Sequence, residues 1–285
     1  MRVGLLWTAF FSLIALAMAG PAGTSLAQKE QKEQKAPGFE AGIETAAIKF
    51  DVHDLSGIWR SVAGGLETIG PNVPSMTPAG MAKLRERISA DRVENPALSN
   101  DPQFKCNPQG FPRLWLDQEL IENVHLEDRL LQISQWEQTV REIWMDGRKV
   151  PTPEDIAELG PSFYGYSVGR WERDTLIVDT VGLDDRNWID DDYGYPVSSE
   201  ARIEERYRRL GPDVISLQYT LYDPKNYTAP WVGDIKPWRR TPRAMNTHFG
   251  WFGLFSGVTE AICAPANEEE YHQRNAPLYV PPKEK

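Results

Sequence analysis

The residues best suited to do chemistry lie in one alternating stretch, Ala201-Arg202-Ile203-Glu204-Glu205-Arg206-Tyr207-Arg208-Arg209. In a strand, Ile203, Glu205, Tyr207 and Arg209 share one face, and Arg202, Glu204, Arg206 and Arg208 share the other. The second face reads as a solvated, salt-bridged exterior. If the first points inward, a carboxylate, a phenol and a guanidinium meet in an apolar cavity. A desolvated carboxylate can exchange protons near neutral pH, with Tyr207 as acid and Arg209 steadying negative charge. The same residue types equally suit a buried ion pair with no catalytic role.

Asp179 is a second candidate base. It alternates with Ile177 and Val181 and needs a cationic partner, for which Arg170 and Arg141 are available. As a ligand anchor or as a pair that fixes register, the chemistry is the same. His125 and His248 could each act as a general base, although a lone histidine also serves in a core or at a surface. The four histidines are scattered, with no pair at ligand spacing, so no metal is expected. The loop Asp184-Asp185-Arg186-Asn187-Trp188-Ile189-Asp190-Asp191-Asp192-Tyr193-Gly194 is dense in carboxylates but fails the EF-hand spacing, and reads as a solvated acidic loop. Trp188 within it could close a barrel mouth as a lid. No glycine-rich phosphate loop and no Gly-x-Ser-x-Gly elbow occurs, and no cofactor is expected.

These side chains need strands to hold them. Residues 163–182 contain two β-runs separated by Glu172-Arg173-Asp174 and predict a hairpin. Similar runs cover Leu55–Val62, Leu120–Leu126, Leu130–Gln135, Val140–Met145, Ala201–Arg209, Val214–Tyr222 and a segment near Trp231–Trp238. Asp146-Gly147 is the strongest short hairpin signal among the connections. The count predicts an all-β fold, an antiparallel meander closing into a barrel of about 8–9 strands, because closure removes exposed edges. Thr77-Pro78 caps a short N-terminal helix over Ala79–Ala90, whose Met81, Leu84 and Ile88 would cover a barrel end. A short C-terminal helix is expected at Asn267–Asn275. Trp59, in Gly57-Ile58-Trp59, would plug one end of the barrel.

Residues 1–27 predict an export signal: Arg2, an apolar run from Leu5 to Ala19, then Ser25-Leu26-Ala27. The apolar run is short for a membrane span, and none of spanning length follows. Residues 28–50 read as a disordered leader and 51–285 as a single β-barrel domain. A periplasmic or secreted location follows. Removing the signal takes away Arg2 and no acidic residue, which leaves 30 basic against 41 acidic side chains and a net charge of −11. That balance argues against a nucleic-acid partner. Cys106 and Cys263 suggest a disulfide in an oxidising compartment. It would close a loop of about 157 residues, worth up to about 5 kcal/mol.

The runs Cys106-Asn107-Pro108-Gln109-Gly110-Phe111-Pro112-Arg113, Arg141-Glu142-Ile143-Trp144-Met145-Asp146-Gly147-Arg148 and Gly169-Arg170-Trp171-Glu172-Arg173-Asp174-Thr175-Leu176-Ile177-Val178-Asp179-Thr180, with Glu205-Arg206-Tyr207 and Asp223-Pro224, form a set. Together they resemble a family of secreted bacterial proteins of unassigned function with a lipocalin-like, calycin-type barrel. The Gly57-x-Trp59 opening is similar to the lipocalin signature. The chain departs from the family at Gly194-Tyr195-Pro196-Val197, where members often carry a histidine after the proline. The resemblance implies the fold and the compartment rather than an activity.

Ten Trp, ten Tyr and ten Phe suit either a filled core or a pocket for a hydrophobic or aromatic small molecule. The first expectation is a binding barrel, with Arg209, Arg141, Arg170, Trp188, Tyr166 and Trp59 as ligand contacts. The alternative is a cofactor-independent lyase, isomerase or hydrolase on the same scaffold, working through Glu205, Tyr207, Asp179 or His248.

Overall fold

A computed structural model describes residues 49–62, 68–117 and 120–241, together with residues 269, 270, 273 and 274. Nine strands form one closed barrel in sequence order: β1 (Gly57–Ser61), β2 (Leu120–His125), β3 (Arg129–Ser134), β4 (Val140–Trp144), β5 (Tyr166–Glu172), β6 (Thr175–Val181), β7 (Arg202–Gly211), β8 (Val214–Tyr222) and β9 (Trp231–Arg240). β9 returns to β1 through Trp59–Arg240, Arg60–Arg239 and Ser61–Trp238. Alternation along each strand sends one set of side chains into the lumen, where burial of the apolar ones supplies most of the driving force.

The barrel is mixed rather than a pure antiparallel meander. β4 and β5 run parallel and pair only through Ile143–Ser167 and Trp144–Val168. Asp146-Gly147 does turn the chain, with Gly147 at φ 82°, but no strand returns. The Asp146 carboxylate accepts from the Arg148 backbone and guanidinium, and Pro151 and Pro153 then block a ladder. Instead the chain crosses over through α3 (Pro153–Leu159), which starts with a full capping box: Thr152 Oγ1 accepts from Asp155 N, and the Asp155 carboxylate accepts from Thr152 N. A parallel pair requires such a crossover.

α1 (Pro78–Arg85) is capped by Thr77 Oγ1, which accepts from Gly80 N. It stops short of Ala90, and its expected apolar face does not cover the barrel: Met81 and Ile88 are exposed. The residue that docks is Gly80, which lies so close to Asn226 that a Cβ would fall 2.3 Å from the Asn226 carbonyl oxygen. The barrel end is filled instead by α2 (Arg113–Leu116) and by Phe111 two residues ahead of it. Phe111, Leu114, Trp115 and Leu116 are all buried in the core. At the far end Trp59 is fully buried, donates from Nε1 to Leu55 O, and lies under the guanidiniums of Arg209 and Arg240. Residues 1–48, Cys263 and most of the expected C-terminal helix lie outside the described residues.

Candidate binding site

Alternation placed Glu205 and Tyr207 on the inner face of β7, and both are fully buried. Glu205 does not meet Arg209. Its partner is Arg141, three strands away on β4: Nη1 donates to Oε2 at 2.9 Å and Nη2 to Oε1 at 2.5 Å. Tyr207 OH donates to the same Oε2 at 2.6 Å. The rest of the guanidinium is spent on Gln132 Oε1 and on Ser167 Oγ from both Nε and Nη2, while Nη2 also reaches Thr180 Oγ1. Gln132 Nε2 donates to Asn123 Oδ1 and to Tyr207 OH, and Asn123 Nδ2 donates to Leu55 O. β2, β3, β4, β5, β6 and β7 are thereby laced together by one polar layer, which also holds Leu55 just ahead of β1.

The faces of the Arg141 guanidinium are also engaged. The Phe111 ring lies 3.9 Å and the Trp115 ring 5.4 Å from its Cζ. Burial works to lower the Arg141 pKa, but the charge and hydrogen bonds of Glu205 outweigh it and hold the guanidinium ionised. Tyr207 is pushed well above the usual phenol range by burial and by the Glu205 carboxylate. The chemistry favoured here is a closed ion pair with neutral phenols around it.

Along β4 and β5, beside the crossover that joins them, lies a groove of about 410 Å³. Arg141 and Ser167 are part of its lining, with Tyr164, Tyr166, Trp144 and Leu159 above them. Tyr166 OH donates to Gly160 O, which ties the groove wall to the end of α3. Trp144 stands at the rim between two cations, Arg148 at 3.7 Å and Arg129 at 4.7 Å. A second groove of about 610 Å³ lies on the other side of α3 against Val181 and Ala201, and no member of the polar layer lines it.

The remaining candidates are elsewhere. Asp179 faces outward and binds Arg170 at 2.8 Å and Arg202 on the neighbouring strand. With Glu204 and Arg206 it forms an exterior charge ladder. Neither Asp179 nor Arg170 anchors anything in the lumen. Arg209 reaches the carbonyls of Gly211, Pro212 and Asp54 at the Trp59 end. Trp188 is no lid: it is buried, bridges to Pro196, and stacks under Arg87. The loop around it is only partly solvated: Asp185, Arg186 and Tyr193 are exposed, but other members are not. Asn187, Ile189 and Asp190 are buried, and Asp190 Oδ1 accepts from Tyr193 N and Gly194 N. His125 Nε2 accepts from Leu55 N, and burial lowers its pKa. His248 lies outside the described residues, as does Cys263, the expected partner of Cys106.

Sequence reasoning missed Arg141 as the partner of Glu205, and missed Gln132, Thr180, Ser167 and the Phe111–Trp115 plug. Only Gln132, alone among apolar residues in Leu130-Leu131-Gln132-Ile133, carried a local signal. Among the described residues no three His, Cys, Asp or Glu side chains converge as a metal site, and no helix is long and apolar enough to cross a membrane. Comparison with protein-family models, curated proteins and solved structures found no match to the chain.

Proposed function

We propose that this is a lipocalin-like binding barrel of the periplasm or the secreted medium, which takes up a hydrophobic, aromatic small molecule through the β4–β5 groove. The observation that carries this reading is the groove itself. Its volume, about 410 Å³, falls in the range of small-ligand sites, and its lining runs along β4 and β5 as far as Arg141 and Ser167. Tyr164, Tyr166 and Trp144 supply aromatic walls.

Binding fits this site better than proton transfer. Both Glu205 oxygens are held by Arg141, and Tyr207 already donates its proton to one of them. A base must have a lone pair aimed at substrate, and a proton donor must have its proton available. The trio of Glu205, Tyr207 and Arg209 that acid-base chemistry would need does not assemble.

The test is titration of the purified protein with N-phenyl-1-naphthylamine, an uncharged fluorescent aromatic. Saturable one-to-one binding is expected. Leu159→Arg places a charge in the groove at an exposed residue and should weaken binding at least about tenfold without unfolding the barrel. Equal binding by wild type and Leu159→Arg would remove the groove from consideration.

A further inference from the structure

A different space lies against each side of α3. Leu159 borders the β4–β5 groove. Pro153, Ile156 and Ala157 border the larger groove of about 610 Å³, which is closed on its other sides by Pro161, Val181 and Ala201. None of the seven residues of α3 is buried, so the helix leaves this groove open along its apolar side. It touches the barrel through narrow contacts. A Cβ on Gly182, just past β6, would fall 2.6 Å from Ile156 Cδ1, so Ile156 rests there on bare backbone. Tyr166 OH donates to Gly160 O at the helix end.

The chemistry of this groove differs from that of its neighbour. Its lining is largely proline and aliphatic, with no aromatic ring and no lysine or arginine. The charge along it is acidic. Glu200 is part of the lining. At ~100° per residue, Glu154 and Glu158 flank Ala157 on α3 and turn away from Leu159, so they border this groove and not the other. Glu200 pairs through one oxygen with Lys225 at 3.4 Å, both exposed, while Glu154 and Glu158 meet no cation among the described residues. An apolar cavity of this size takes the hydrocarbon part of a small ligand. Carboxylates at a wet rim attract a cation without stripping it of water, and they repel an anion.

We propose that this second groove binds a small aliphatic amine in its ammonium form. The hydrocarbon lies between Ile156 and Val181, and the ammonium sits at the rim between Glu200 and the α3 carboxylates. The site is separate from the aromatic groove and does not depend on it.

Three probes of one shape test this: 1-adamantanemethylamine, 1-adamantanemethanol and 1-adamantanecarboxylate. Calorimetry on the full chain at neutral pH should show the ammonium binding one-to-one, about five- to tenfold tighter than the alcohol, the joint effect of a few exposed charges. The carboxylate should bind weakest. About 0.5 M salt should remove most of the preference for the ammonium and leave the alcohol no weaker. Ala157→Arg puts a bulky cation into this groove at an exposed helical residue, so the fold should hold, as its melting temperature would report. It should weaken the ammonium at least about tenfold and leave N-phenyl-1-naphthylamine binding unchanged. Leu159→Arg should leave the ammonium unaffected. Equal binding of ammonium and alcohol, or tightest binding by the carboxylate, would overturn the charge recognition. Binding of none of the three, an unaffected Ala157→Arg, or loss of the ammonium in Leu159→Arg would remove this groove as the site, whatever the titration with N-phenyl-1-naphthylamine says of the other.

Discussion

Arg141 on β4 and Glu205 on β7 grip each other through two parallel N–H···O bonds across the barrel lumen, and neither reaches solvent by more than a few per cent of its surface. Removing one partner from such a pair strands a charge. Arg141→Met should therefore cost about 3–5 kcal/mol, read by urea unfolding. The double variant Arg141→Met with Glu205→Leu should recover much of that loss, because it strands nothing. A single variant within about 1 kcal/mol of wild type would mean that water already reaches the pair.

Asp190 offers a pH signature. Burial pushes its carboxyl up to about 6 from an ordinary value of 3.8. An acid raised in this way holds its proton more tightly when folded. Unfolding then releases a proton between about pH 4 and 6, and stability falls as pH rises through that window. The full effect is at most roughly 3 kcal/mol. His125 works in the opposite sense, since its lowered pKa makes stability grow as pH rises through its ordinary value of 6.5. Asp184 and Asp174 are lowered by Arg186 and Arg208 and lose their contribution below pH 4. The difference between wild type and Asp190→Asn isolates the one group. It should slope between pH 4 and 6 and be flat above pH 7, measured as melting temperature against pH.

Gly80 should not tolerate a methyl group. An alanine Cβ would sit 2.3 Å from Asn226 O and 2.8 Å from its Cα, both backbone atoms that cannot swing aside. Gly80→Ala should gain helix propensity yet lose about 1–3 kcal/mol to the displaced contact. Gly147→Ala makes the comparison, because open space surrounds it and only its positive φ is penalised. Chemical denaturation of the two variants should rank Gly80→Ala as the worse.

Thr152→Ala removes one half of the capping box and should cost about 1 kcal/mol. Its effect should be local. Amide exchange should quicken in 153–160 and in the groove residues tied to the helix end through Tyr166, while β7 and β8 stay protected. Uniform acceleration through β7 and β8 would show that α3 is coupled to the whole barrel rather than to the groove.

Much of the barrel was legible because each strand is short, alternates, and is punctuated by turn residues. β6 and β8 fall where the β-branched and aromatic runs place them. The inward face of β7 was readable from Ile203, Glu205 and Tyr207 because its other face is charged throughout. β6 defeated the same reasoning. Ile177 is as buried as Leu176 and Val178, so its apolar neighbours gave Asp179 no sign of which side it faces. The partner of Glu205 was illegible for another reason. It lies 64 residues away, and only the order and stagger of the strands bring it across the lumen. The crossover helix did have a local signature, Thr152-Pro153-Glu154-Asp155, which the Asp146-Gly147 turn masked by pointing to a hairpin.

The brief parallel join of β4 to β5 divides the barrel into two pieces that are each continuous in sequence. β1–β4 form one leaf and β5–β9 the other, with the crossover as spine and the short β1–β9 ladder as the opposite edge. Arg141 belongs to the first leaf and Glu205 to the second, so the ion pair acts as the clasp of a book. Two polypeptides cut within Pro151–Pro161 would each carry half of that clasp, and their reassociation in trans would depend on Glu205 far more than on the severed spine.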